Sequence, residues 1–305
     1  TSSSGSTSST STTTNSYVSV GASGTILTSP DGSSWTSRTS GTSNTLNGVT
    51  SGNSILAAVG ASGTILTSSD GISWTSRTSG TSNILYGITY ANSTFVAVGA
   101  SGTILTSSDG TSWTSRTSGT SVILYGVTYG NSTFLAIGAS GTILTSSDGT
   151  SWTSRTSGTS KNIYGAHYVN NSFWAAGESG TLLYSSDGIS WGGDTGTQSY
   201  YLHGVSYGNN IIVAIGESGK IMTSSDGRSW GSTPSGTSEN LTLISYGNTT
   251  FVAVGHSGTI ITSSDGKTWT SSTSGTSENL YGISTFGSTI ASSGSGVFIV
   301  AGLSG

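Results

Sequence analysis

The stretch from Leu85 to Ser118 shows how apolar and polar positions alternate along the whole chain. Four short runs, LYGITY, TFVAVG, GTILTSS and SWTSRTS, are separated by the polar clusters ANS, ASG and DG. Short runs rich in Ile, Val, Thr, Tyr and Phe, bounded by Gly, Asn, Asp and Ser, predict antiparallel strands, named a, b, c and d here. No apolar spacing of three and four persists long enough to predict an amphipathic helix. Run b is almost wholly apolar, which predicts a strand covered on both faces, and its Ala and Gly suit crowding near an axis. Run d is polar and carries an Arg, as an outer edge strand guarded against pairing with another molecule does.

The pattern returns every 39 residues, marked by Trp35, Trp74, Trp113, Trp152, Trp191, Trp230 and Trp269. Each Trp closes a box reading SSDGxSW or a near variant, with its Asp at Asp31, Asp70, Asp109, Asp148, Asp187, Asp226 and Asp265. Only Trp174 lies off this grid. A period near 40 with four strands per unit predicts an all-β fold, a seven-bladed β-propeller of four-stranded antiparallel blades. Copies of strand b begin at Tyr17 and recur to Phe251, whereas copies of strand a begin at Leu46 and recur to Leu280. The first unit therefore lacks an a strand, and the last a strand, Leu280 to Ser284, has no d after it. Strand exchange between the N- and C-terminal segments closes the ring. Residues 17–284 are then the propeller, and residues 1–16 are a Ser/Thr-rich tether. Residues 285–305 form a surplus strand segment. It either displaces the Tyr17 strand, packs beneath the ring, or is offered to another subunit by edge addition.

The box, preceded by a repeated VGxSGTIxTSSDG, resembles the Asp-box or BNR-repeat propellers of sialidases and of photosystem assembly factors of the Ycf48 type, across Tyr17 to Ser284. One departure is that the usual box has a residue between Asp and Gly, while Asp70 and Gly71 and their counterparts are adjacent. The residues themselves imply a structural box: Asp accepts amides of its own turn, Gly takes a positive φ, and Trp covers the interface between blades. The resemblance implies that the boxes lie on the face opposite an active site. A sialidase needs three convergent arginines. Arg38, Arg77, Arg116 and Arg155 each stand three residues after their Trp, so they are expected along the outer rim, as in a non-catalytic member of the family.

Charge narrows the function classes. Lys+Arg 8 against Asp+Glu 12 gives a net charge of −4, with charged residues at 7% of the chain. That leaves no basic stripe for nucleic acid, and no apolar run reaches the roughly 18 residues of a membrane span. With 8 Trp, 13 Tyr and 6 Phe at regular spacing, the chain is expected to fold. Zero Cys removes disulfides, a thiol nucleophile and thiolate metal sites, and the 3 His fall on separate units, so neither metal nor cofactor is expected. The polar, charge-poor composition suits an extracellular or cell-surface protein. The start at Thr1 reads as a processed mature form or an excised domain. The box Asp are structural, Asp194 takes the place of a rim Arg, and Glu178, Glu217, Glu239 and Glu278 are each a blade apart. No pair of catalytic carboxylates and no nucleophile elbow is recognised, and the chain is not expected to be an enzyme.

Antiparallel order puts the b–c turn and the d–a link on one face, and both vary while the strands hardly do. The turn residue reads Ala22, Ala61, Ala100, Ala139, Glu178, Glu217, His256. Blades five to seven so gather Lys161, Glu178, Tyr200, Tyr201, Glu217, Glu239, His256 and Glu278, with Lys220 and His203 nearby. Aromatics beside carboxylates and amides resemble a sugar-binding surface, although drift in solvated loops produces the same pattern. His203 replaces the Tyr of LYG and is expected to pack; His167 stands in a ring of Thr and Ser close to the axis. The leading expectation is a non-catalytic binding module for adhesion, recognising glycans or a surface protein. The alternatives are a structural subunit of a filament or homo-oligomer, linked through 285–305 or 1–16, and a scaffold similar to an assembly factor.

Overall fold

Blade two shows why a unit of this sequence becomes a four-stranded sheet. In the computed structural model, which describes residues 16–194, 196, 198–287 and the backbone of 299–300, its strands are Leu46–Gly52, Ile55–Gly60, Ile65–Ser68 and Thr75–Arg77, paired in that order. Gly52 faces Ile55 across the first hairpin, leaving Asn53 and Ser54 as a two-residue loop with φ 48° and 62°. Positive φ at both loop residues gives the turn whose twist matches that of the flanking strands, and Asn is among the residues that tolerate it. At the second turn, Gly60 lets the chain pass against the preceding link: a Cβ there would stand 2.0 Å from the Thr45 carbonyl oxygen.

The third turn is the box. Asp70 Oδ1 accepts the amides of Ile72 and Ser73 at 2.8 and 2.9 Å and the Ser68 hydroxyl at 3.0 Å. Gly71 takes φ 74°, and Trp74 Nε1 donates to the Gly71 carbonyl at 3.2 Å. Asp next to Gly thus suffices to close the turn on itself. Amides bonded to the charged form hold the box carboxyls below their ordinary range, Asp31 and Asp265 to about 2.

Strand b explains the ring. Leu56 and Ala58 pack with Val49 and Leu66 against Val18, Val20 and Ile26 of blade one, whereas Ala57 and Val59 pack against Leu85, Ile88 and Phe95 of blade three. Both faces of one strand are therefore interior, and the same two-sided packing joins every neighbouring pair of blades, blades seven and one included. Trp74 packs against the cluster shared by blades one and two, and Trp35 against the one shared by blades seven and one. The off-grid Trp174 fills the interface of blades five and six, 6.1 Å from Trp230 between ring centroids.

The ring closes by strand exchange. Leu280–Phe286 pairs antiparallel with Ser16–Gly21, Val18 facing Ser284, and the sheet continues through Ile26–Ser29 to Thr36–Arg38. Tyr17 is fully buried, lies tilted against Trp35 with ring centroids 6.5 Å apart and bonds through its hydroxyl to the Gly247 carbonyl of blade seven. The propeller runs past both expected boundaries, from Ser16 to Phe286. The Tyr17 strand keeps its place in blade one, and the two described residues of the surplus segment beyond 287, Ile299–Val300, pair with Gly165 and Ala166 in blade five. The tether lies outside the described residues apart from Ser16, as does most of 288–305. No helix among the described residues is long and apolar enough to cross a membrane.

Tyr17→Ala is expected to cost about 3–5 kcal/mol in urea unfolding followed by Trp fluorescence, and Tyr17→Phe about 1 kcal/mol for the lost hydrogen bond. Equal unfolding midpoints for the two variants would contradict the place given to this ring.

Candidate functional site

Backbone hydrogen bonds place the variable residues side by side. Within each blade the first residue of the b–c turn donates to the last residue of the link: Glu178 N to Asn162 O at 2.9 Å, Glu217 N to Tyr201 O at 3.1 Å, His256 N to Asn240 O at 2.9 Å and Ala22 N to Asn279 O at 2.8 Å. Turn and link share one face, as antiparallel order requires. Closure moves Glu278 and Asn279 into blade one, so the non-repeating sector covers blades five, six, seven and one.

The acidic residues of that sector serve their own turns. Glu178 lies 3.8 Å from Lys161 and accepts the Asn162 amide at 3.2 Å. Glu217 accepts the Tyr201 amide at 3.3 Å, Glu239 the Ser257 hydroxyl at 3.2 Å and Glu278 the Ser23 hydroxyl at 3.2 Å. Each contact stays within one blade, so the carboxylates are not brought together, and no group of three His, Asp or Glu fit for a metal stands among the described residues. Asparagines cross between blades instead. Asn162, Asn240 and Asn279 accept the amides of Ser140, Ser218 and Ser257 of the preceding blades at 3.0, 2.9 and 2.9 Å. The two tyrosines do not form a paired platform either: Lys220 Nζ sits 4.5 Å from the centre of the Tyr200 ring, while Tyr201 leans toward Tyr164 at 6.1 Å.

The structure assembles a feature that sequence reading missed. The second residue of strand a lies at the inner margin of this face, and Tyr86, Tyr125, Tyr164 and His203 from four successive blades meet there edge to face, with centroids 5.9, 5.2 and 5.8 Å apart. His256 and Tyr281 form a separate edge-to-face pair at 6.2 Å. Tyr125, Tyr164 and His203 are buried, whereas Tyr86 and Tyr201 are half-buried. Burial pushes the Tyr164 hydroxyl up to about 12, against the lowering effect of the Asn162 hydrogen bond. His203 Nδ1 lies 3.0 Å from the Leu241 carbonyl, the inter-blade bond that Asn47 and Thr242 make to Leu85 and Leu280 from the equivalent position. A carbonyl only accepts, so Nδ1 carries the proton. Nε2 is then a buried acceptor without a partner among the described residues. The signal in the sequence was a strand position that changes from Tyr to Asn, His and Thr beside a constant Leu or Ile.

Toward the axis, the Thr50, Thr128, Ser206 and Ser245 hydroxyls are buried without partners among the described residues. His167 occupies the same position in blade five, and desolvation lowers its pKa to about 3. On the outer rim, Arg38, Arg77, Arg116 and Arg155 each donate Nε to a Thr of the neighbouring strand at 2.8 Å and do not converge. Two open grooves of about 590 and 550 Å³, one repeat apart, lie beside Arg77 and Arg116 among Ser, Thr and Gly, away from the variable sector.

No family model and no curated protein matched the sequence, so the Asp-box resemblance rests on the box residues themselves. Solved structures share the fold. YCF48 bound to D1 peptide is 19% identical with a TM-score of 0.60, over 74% of this chain and 80% of that one. YCF48 from Cyanidioschyzon merolae is 17% identical with a TM-score of 0.62, over 84% and 96%. The WD40 propeller domain of Doa1 is 14% identical with a TM-score of 0.65, over 85% and 93%.

The buried histidine sets a pH dependence. His167 falls from an ordinary 6.5 to about 3 on folding, so the unfolded chain binds the extra proton. Its contribution is intact above about pH 6.5 and costs stability as the pH falls, about 2 kcal/mol by pH 5. The lowered box carboxyls add a further loss below about pH 4. His167→Thr is expected to reduce the slope between pH 6.5 and 4 in denaturant unfolding, while the contribution of His203, whose pKa burial also lowers, and the steeper loss below pH 4 remain. An unchanged slope would place the titration elsewhere.

Proposed function

We propose that the protein is a non-catalytic propeller scaffold that binds a protein or peptide partner at the inner margin of the link face. One observation carries this reading: the half-buried Tyr86 and Tyr201 rings are backed by the buried Tyr125, Tyr164 and His203. Rings held by their neighbours give up little side-chain entropy on binding, and they offer apolar area on a rigid support. A partner fits here through an aromatic or aliphatic side chain laid against the Tyr86 and Tyr201 rings. The likeness to a propeller solved with a bound peptide supports the choice of a peptide-like partner.

Glycan recognition is the second reading, resting on Tyr200, Tyr201 and the polar residues around them. It stands below the first because a cation covers Tyr200 and the four carboxylates are engaged with their own turns. An extracellular or cell-surface setting belongs to the proposal as well and rests on composition alone.

Screening the full chain against a library of linear peptides and, in parallel, a glycan array separates the two readings. Peptide binders are expected, with affinity falling at least tenfold in the Tyr86→Ala, Tyr201→Ala double variant. A smaller fall is expected in His203→Asn, which keeps the inter-blade bond seen at Asn47 but removes the ring that backs Tyr164. Binding to glycans alone, to neither library, or to peptides with no loss in these variants overturns the proposal.

A further inference from the structure

We propose that the a–b hairpins of blades three, four, five and seven are acceptor sites for N-linked oligosaccharides, carried by Asn92, Asn131, Asn170 and Asn248. The first sugar of each lies on the tyrosine two residues before it, and Asn240 is not an acceptor. The inference rests on the extracellular or cell-surface setting proposed above and stands apart from the link-face reading.

Asn-x-Ser/Thr triplets begin at Asn92, Asn131, Asn170, Asn240 and Asn248. Such a triplet is a glycosylation signal where its Asn stands at the surface. Four of the five hold one place in the repeat: their Asn is the first residue of the exposed two-residue loop between strands a and b, with positive φ at both loop residues. These loops share the face of the boxes. Asn53 and Asn209, the equivalents in blades two and six, donate Nδ2 to the Ser108 and Ser264 carbonyls at 3.4 and 3.1 Å, in the boxes of the next blades. Those two loops carry Ile55 and Ile211 at the third position and so form no triplet. Among the described residues Nδ2 of Asn92 and of Asn131 makes no such bond; each of these residues takes part through its carbonyl, which accepts the Thr94 or Thr133 hydroxyl at 3.2 Å.

An aromatic pair marks the same four blades. Tyr90, Tyr129, Tyr168 and Tyr246, each two residues before its Asn, lie against Phe95, Phe134, Phe173 and Phe251 with centroids 4.5, 4.7, 4.7 and 4.6 Å apart. All four tyrosines are half-buried. Blade two has Ser51 and Leu56 at these positions, and blade six has Ile212 in place of the Phe, with the Tyr207 hydroxyl bonded to Asn210 at 3.2 Å. A ring held by its neighbour offers the C–H face of a sugar apolar area at little cost in side-chain entropy. Asn240 lacks these features: its Oδ1 accepts the Ser218 amide of the preceding blade at 2.9 Å, and Thr242 of its triplet is buried and bonded to the Leu280 carbonyl at 2.6 Å. The donor is a lipid-pyrophosphate-linked oligosaccharide. A bond forms from Nδ2 to C1 of the first sugar, the bond from C1 to the pyrophosphate oxygen breaks, and the Nδ2 proton passes to a base of the transferase as the lipid pyrophosphate leaves. Sugars at the four hairpins cover the box face and leave the link face, with Tyr86 and Tyr201, bare.

Secretion of the full chain from a eukaryotic host supplies the transferase whatever the native setting, so bare hairpins there count against the sites alone; the setting itself is tested by locating the chain in its native cells. Peptide mass mapping after enzymatic release is expected to show occupancy at Asn92, Asn131, Asn170 and Asn248 at least tenfold above that at Asn240. No sugar at the hairpins, or equal occupancy at Asn240, overturns the proposal. The ring contact is read by NMR in a chain that keeps only the Asn92 hairpin triplet, through Thr133→Ala, Ser172→Ala and Thr250→Ala. Protons of its first sugar are expected upfield of those on an unstructured glycopeptide, and the shift is expected to vanish in Tyr90→Leu. Unshifted protons, or a shift that survives Tyr90→Leu, also overturn it.

Discussion

A strand buried on both faces cannot stand without neighbours on both sides, and strand b imposes that condition seven times. Ala57 and Val59 look to blade three while Leu56 and Ala58 look to blade one, so no single sheet satisfies its own apolar surface. An open row of blades would leave two such faces in water. The ring must close, and the closing strand Leu280–Phe286 supplies Leu280 and Ile283 to the interface between blades seven and one. Outer strand, box and hairpin are consequences: they end each sheet, turn it and hold its Trp against the next blade.

That constraint made the fold legible. The spacing of Trp and Asp gave the blade count, the offset between first b and first a gave the exchange, and the box residues gave their own turn. Two boundaries were missed by a residue or two, because Ser16 and Phe286 pair through backbone groups that their side chains do not announce. FIVAGLSG resembles FVAVGASG in pattern, and that resemblance left the place of the tail open among three alternatives, because pattern does not say which strand edge is free.

The candidate site was half legible. The sequence located the variable face and the residues on it, and it named Glu178, Glu217, Glu239 and Glu278 without indicating that each braces a turn of its own blade. It passed over the aromatic margin because LYG reads as core. Tyr125 and Tyr164 are indeed buried; their significance comes from meeting His203 and the half-buried Tyr86 and Tyr201 across blades, a juxtaposition of residues a repeat apart that only ring geometry creates. His203 shows the same limit, since its tautomer depends on the Leu241 carbonyl of the next blade.

Denaturant unfolding of the intact chain beside a chain ending at Asn279, read by Trp fluorescence and far-UV circular dichroism together, tests the dependence of every blade on closure. Two-sided burial requires the intact chain to unfold in one step with coincident probes, and the shortened chain to lose that step because blade one lacks its inner strand. A shortened chain with the same cooperative midpoint would contradict it, since the blades would then be stable without a closed ring.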